Sequence, residues 1–172
     1  MRKSRTLLLT LVASAACFAL PAHAADAVFS AVMDGAQCLP DPIKTPATGT
    51  VELRLSADGK SIHYKVSVDK LQNPSQADLH FGGASQNGPA IVKLWPRGDA
   101  KAKRGEFSGV LAEGTFNAGD FTGSMAGSPM SDLVEELRAG NAYVNVHTYD
   151  GADPPYSGPG DYRVGEIRGQ IK

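Results

Sequence analysis

Apolar and polar residues alternate along most of this chain after residue 26, and such alternation predicts β-strands with one buried face. The apolar members of two successive runs share one face each: Val51, Leu53 and Leu55 in the first, and Ile62, Tyr64, Val66 and Val68 in the second. The sequence Ala-Asp-Gly at residues 57–59 separates the runs and is typical of a tight turn. We therefore expect an antiparallel hairpin with one solvated face.

The same pattern predicts a strand near residues 27–33 and further strands at residues 77–81, 90–95, 105–111, 114–116, 120–123, 142–148 and 163–171. One helix is expected at residues 129–139, with Ser128 as its cap and Gly140 at its end. Short strands at close spacing favour an all-β fold. We predict an antiparallel β-sandwich or flattened barrel, immunoglobulin-like or superoxide-dismutase-like, with one short helix.

The first residues have the three parts of a secretory signal peptide: basic Arg2, Lys3 and Arg5, an apolar run, and Ala-His-Ala at 22–24. We expect residues 1–24 to be removed and residues 25–172 to form one domain, exported to the periplasm or secreted. The apolar run is shorter than the ~20 residues of a membrane span, so no span is predicted. An alternative is lipoprotein processing at Cys17, which ends a lipobox-like Ser-Ala-Ala-Cys.

Charge and cysteine content narrow the classes of function. Residues 25–172 hold 14 Lys and Arg against 18 Asp and Glu, a formal charge of −4. No broad basic field is available for nucleic acid, and we expect no nucleic-acid partner. Cys38 is the one cysteine of that segment, so it cannot form a disulfide within the chain. It is expected to be a buried thiol, a bridge between chains or a soft metal ligand.

Three sequence blocks carry a family resemblance: DLHFGGASQNGPAIVKLW at 78–95, AYVNVHT at 142–148 and YRVGEIRGQIK at 162–172. In this order they resemble the CHRD (chordin) domain, and the chain is similar to a single-domain secreted member of that family. Asn145, Glu166 and Arg168 match its motifs. The resemblance implies binding of extracellular or envelope partners. The loop at residues 150–161 is longer than the family pattern, which marks its surroundings as particular to this protein.

Strand alternation predicts that Asp78 and His80 share one face, as do Tyr143, Asn145 and His147. The family pattern has His-Ile-His where this chain has Asp78, Leu79 and His80, and with the later histidine it implies three imidazoles for zinc or copper. Here Asp78, His80 and His147 form the candidate metal set, in which the carboxylate disfavours copper. The alternative is that the two histidines only hydrogen-bond across strands or to Asp78.

Glu166 and Arg168 fall on one face of the last predicted strand. Charged residues at such positions are typically solvated, although this pair could also orient the histidines.

The sequence lacks a Gly-x-Ser-x-Gly motif, and no spacing of its acidic residues marks a catalytic pair. We therefore expect a non-catalytic binding or structural module that engages an envelope or extracellular protein or glycan. The alternative hypothesis is a copper- or zinc-binding β-barrel with redox activity.

Overall fold

The computed structural model describes residues 27–98, 101–152 and 154–172. The predicted signal peptide and Cys17 lie outside the described residues. The described part contains eight strands: β1 Val28–Asp34, β2 Thr48–Leu55, β3 Ser61–Gln72, β4 Pro74–Phe81, β5 Ala90–Trp95, β6 Glu106–Asn117, β7 Ala142–Thr148 and β8 Ile167–Gln170. One α-helix, α1 Met130–Ala139, and three short 3-10 turns complete it.

The strands form one antiparallel sheet in the order β5-β4-β7-β8-β1-β2-β3-β6. The two strands at its ends, β5 and β6, contact each other, so the sheet curls into a nearly closed, flattened barrel. A further link across the closure comes from β3, the neighbour of β6, where the Tyr64 hydroxyl donates a hydrogen bond of 2.8 Å to the Leu94 carbonyl of β5. The predicted fold class is confirmed.

The core follows from the alternation of apolar residues. The predicted hairpin is β2 and β3, with Leu55 opposite Ile62 across the turn, and the apolar face of both strands is buried. Helix α1 buries Met130, Leu133, Val134 and Leu137 in the same core, as helical spacing requires. It ends at Gly140, whose φ of 71° is favourable for glycine. Among the described residues no helix is long and apolar enough to cross a membrane.

Four local predictions were wrong. The two strands expected at 105–111 and 114–116 are one strand, β6, whose register shifts against β3. Residues 120–123 do not form a strand, since Asp120 ends one short 3-10 turn, Gly123 begins the next, and residues 121–122 connect them. The last strand starts only at Ile167, because residues 163–164 form a turn and the chain bends at Glu166. At α1 Pro129 takes the N-cap position, and no side chain caps the helix.

Candidate functional site

Strands β4, β7 and β8 are neighbours whose alternation places one side in the core and leaves the other side polar. The core side consists of fully buried residues: Ala77, Leu79, Val144, Val146 and Ile167. The polar side, called here the polar face, carries Asp78, His80, Tyr143, Asn145, His147 and Arg168. The register aligns Asn145 with Asp78 on one neighbouring strand and with Arg168 on the other.

The polar face is covered by loops rather than by bulk solvent. Residues 82–89 cover one part of it. The carbonyls of Gly83 and Gln86 accept hydrogen bonds from Arg168, and the Gly88 carbonyl lies beside His80. Residues 38–45 and 154–166 pack over its other half, where Thr45 and Gly160 contact Glu166. Charged and polar side chains on this face are therefore largely excluded from water.

Asp78, His80 and His147 converge at one end of the polar face. One potential ligand atom from each lies within 4.8 Å of the other two. The Asp78 side chain is only 3% exposed and its Oδ2 lies 3.3 Å from His147 Nε2. Gln76 donates a hydrogen bond of 2.6 Å to the same oxygen and so fixes the carboxylate. The structure thus brings together the three residues that strand alternation selected.

Both imidazoles are oriented by backbone carbonyls. His80 Nδ1 lies 3.0 Å from the Gly88 carbonyl, and His147 Nδ1 lies 2.8 Å from the Arg163 carbonyl. Because a carbonyl can only accept, each Nδ1 carries the hydrogen, so Nε2 is the ring atom of each histidine that can bind a metal ion. Both Nε2 atoms are buried and have no hydrogen-bond partner among the described residues. Burial also lowers the pKa of His80, which favours the neutral ring.

This donor arrangement is suited to a metal ion. In metal sites, the second ring N–H of a histidine ligand typically donates a hydrogen bond to a carbonyl or carboxylate. The Nδ1 atoms of both histidines are placed in this way here. Zinc binds imidazole nitrogen and carboxylate oxygen at about 2.0–2.2 Å, so small side-chain rotations from the observed spacing would be needed to share one ion. A groove lined by Ser75, Gln76, His147, Tyr149 and Arg163 borders the cluster and gives access from the surface.

Tyr143 connects the cluster with the remainder of the polar face. Its ring stacks on His80, with centroids 4.9 Å apart and planes at 16°, and the guanidinium of Arg168 lies 3.8 Å above the same ring. The Tyr143 hydroxyl also accepts a hydrogen bond of 3.1 Å from the Gly88 amide. Arg168 thus contacts the ring that stacks on His80, and an orienting role of Glu166 and Arg168 toward the histidines stays a prediction.

Glu166 is fully buried, and the interpretation of Glu166 and Arg168 as solvated charges was wrong. The carboxylate accepts three hydrogen bonds: 2.5 Å from Thr45 Oγ1, 2.7 Å from Thr148 Oγ1 and 2.7 Å from the Gly160 amide. These donors come from two loops and from β7. Glu166 consequently ties the loops that cover the polar face to the sheet beneath them.

Cys38 is a free, buried thiol beside Glu166, whose backbone carbonyl lies 3.4 Å from its sulfur. Burial raises the pKa of the thiol to about 11, so it stays protonated at neutral pH. It is not a member of the Asp78, His80 and His147 cluster. Of the three fates that the sequence allowed, the structure matches the buried thiol.

Comparisons with known proteins bear on the family to which this chain belongs. No curated protein matches the chain. The model of the CHRD domain matches residues 29–155, which include β4 and β7 with all three members of the cluster and end before Glu166. Because this match covers most of the folded chain, the protein belongs to the CHRD domain family.

Proposed function

We propose that this CHRD domain is an exported, non-catalytic binding module, and that Asp78, His80 and His147 bind one divalent transition metal ion. The observation that supports the metal proposal best is the pair of buried Nε2 atoms without hydrogen-bond partners among the described residues. Buried polar atoms are nearly always satisfied, and an exception needs a physical reason. An ion shared with the Asp78 carboxylate would satisfy both nitrogens at once.

Zinc is the ion that this ligand set favours, with copper second. Two imidazoles and one carboxylate are known zinc ligands, and the carboxylate makes the set harder than three imidazoles would be. The alternative without metal is a direct contact between His147 and Asp78, whose atoms are 3.3 Å apart. That contact leaves His80 Nε2 unsatisfied, so it accounts for only half of the cluster.

Metal binding is tested by titrating the purified protein with zinc and, separately, copper. We expect one site per chain with a dissociation constant below about 100 μM. His80→Ala and His147→Ala should each weaken binding at least about a hundredfold, since even partners of metal ligands contribute about 10–100-fold. The matched control is His63→Ala, because His63 lies on β3 and is half exposed beside Glu113.

Two results would contradict the metal proposal. One is the absence of saturable zinc or copper binding in that range. The other is equal loss of binding in His63→Ala, which would indicate nonspecific coordination. Thermal unfolding of each variant shows whether the domain is still folded. If the loaded protein also turns over superoxide or another redox substrate, the non-catalytic part of the proposal fails while the metal part stands.

Export is supported by the signal-peptide pattern and by the extracellular setting in which CHRD domains typically occur. We expect protein purified from the periplasm or the medium to begin at Ala25, and Edman sequencing of that protein tests this. A chain that begins at Cys17 with a lipid attached would support lipoprotein processing instead. Retention of residues 1–24 in the mature protein would contradict export by cleavage.

The partner class expected from the family, an envelope or extracellular protein or glycan, is part of the same proposal. The open outer surface of β1, β2 and β3 offers room for one, since it forms a shallow groove lined by Ser30, Val32, Thr50, Glu52 and Lys65 among others. Val32 is 65% exposed there. None of its lining residues belongs to the metal cluster, so the two binding functions can be tested with separate substitutions.

A further inference from the structure

A separate cavity lies over the other end of the polar face, where the covering loops meet β7 and β8. Its volume is about 270 Å³. The walls are mixed: apolar and aromatic side chains, represented by Leu39, Ile43, Tyr156 and Tyr162, surround a polar floor of Asn145 and Arg168. A small, mostly apolar cavity with a few placed polar groups is the usual form of a small-molecule site.

Arg168 supplies a buried positive charge that nothing described in the structure balances. The residue is only 2% exposed. Its Nη2 donates hydrogen bonds of 2.9 Å to the carbonyls of Gly83 and Gln86, and Nη1 has no hydrogen-bond partner among the described residues. No carboxylate of the described part forms an ion pair with it. Buried charges in proteins are normally paired.

The neighbouring carboxylates do not take that role. Asp34 is the cross-strand neighbour of Arg168 on β1, but its carboxylate accepts a hydrogen bond from the Gln37 amide and forms no ion pair with Arg168 in the described part of the chain. Glu166 uses both of its oxygens for Thr45, Thr148 and Gly160. Asp41 lines the cavity but is exposed, so its charge is largely solvated. The Tyr143 ring beneath the guanidinium offers only a cation-π contact. An anionic group of a ligand would supply the missing counter-charge.

Asn145 adds a second unsatisfied group to the cavity floor. Its side-chain nitrogen donates 2.8 Å to the Val164 carbonyl, which leaves Oδ1 buried without a hydrogen-bond partner in the described part of the chain. Asn145 and Arg168 are direct cross-strand neighbours. The floor thus offers a cationic donor beside a neutral acceptor, which matches a carboxylate that carries a hydroxyl or amino group on the next carbon.

We propose that this cavity binds a small organic acid, with its carboxylate at Arg168, its adjacent donor at Asn145 and its apolar body against the aromatic and aliphatic walls. The cavity is separate from the metal cluster, whose ligands line none of it.

The probe is mandelate, which combines a carboxylate, a neighbouring hydroxyl and a phenyl ring, and mandelamide is its neutral control. Both are titrated into the full mature protein with EDTA present, and amide shifts are followed by NMR. We expect saturable shifts at Gly83, Gln86 and Gly165 with mandelate, and binding of mandelamide weaker by at least about tenfold, because a charge-assisted hydrogen bond is lost.

Arg168→Gln could simply unfold the domain, so the decisive variant is at the cavity wall. Val164 lines the cavity and is 61% exposed, so substitutions there are compatible with folding. Val164→Glu places a carboxylate where it repels mandelate, and we expect roughly 3–10-fold weaker binding, whereas the neutral Val164→Gln should bind nearly as the unmodified protein does.

Any of the following results overturns the proposal: equal binding of mandelate and mandelamide, no saturable mandelate shift below about 10 mM, or equal affinity in the two Val164 variants. A requirement for zinc would also overturn it, since mandelate would then be a metal ligand. Failure of zinc binding, by contrast, leaves this result unaffected, so the two proposals fail separately.

Discussion

Replacing Glu166 with alanine should lower the free energy of unfolding by roughly 2–4 kcal/mol, because three hydrogen bonds to a charged acceptor, two of them buried, are lost together. Thr148 and the Gly160 amide would stay buried without their partner, whereas Thr45 is half-buried. Removing the carboxylate also removes the free-energy cost of burying its charge. The net loss of stability is therefore smaller than the summed contributions of the three hydrogen bonds. Urea unfolding followed by circular dichroism measures the change.

Two companion variants make this result specific. Glu166→Gln keeps the shape and one acceptor oxygen, so its loss should lie between that of the alanine variant and zero. Glu52→Ala removes a carboxylate that is 53% exposed beside Arg54, and it should change stability by less than about 0.5 kcal/mol. If Glu166→Ala were as mild as Glu52→Ala, Glu166 would not hold the covering loops to the sheet.

The burial of Glu166 also shows where sequence reasoning ends. Strand alternation correctly placed Asp78, His80 and His147 on one face, because side-chain direction depends only on local backbone geometry. Whether that face is exposed to solvent depends on loops from distant parts of the sequence. Alternation in a single strand carries no information about such loops, so a charge on the side opposite the core was interpreted as solvated.

The same distinction explains what could not be predicted around the histidines. Their positions followed from the sequence, but their orienting partners are backbone carbonyls of Gly88 and Arg163, which leave no signature in residue identity. The stacking of Tyr143 on His80 was accessible in principle, since the register makes them cross-strand neighbours. To predict this stacking, one must know that β4 pairs with β7, and a single sequence does not specify that pairing. The late start of β8 at Ile167 has a similar cause, because the preceding Glu166 binds Thr45 and Gly160 of the covering loops.

Gly88→Ala should destabilise the protein by about 1–3 kcal/mol through overpacking, although it adds only one methyl group. A Cβ atom at this position would lie 1.7 Å from the Phe81 carbonyl oxygen, so the backbone of the 82–89 loop must move. The matched control is Gly83→Ala in the same loop, where a Cβ meets no atom closer than 3.9 Å. Thermal or urea unfolding of both variants tests the difference, and equal stability would contradict it.

Gly88→Ala also probes the site. The carbonyl of residue 88 orients His80, and it would shift together with the 82–89 loop. If His80 binds a metal ion as proposed, the variant should lose roughly 10–100-fold in zinc affinity, the usual effect of disturbing a partner of a metal ligand. Gly83→Ala should keep the affinity of the unmodified protein. A Gly88→Ala protein that is destabilised but binds zinc normally would show that the Gly88 carbonyl supports the loop without positioning the imidazole.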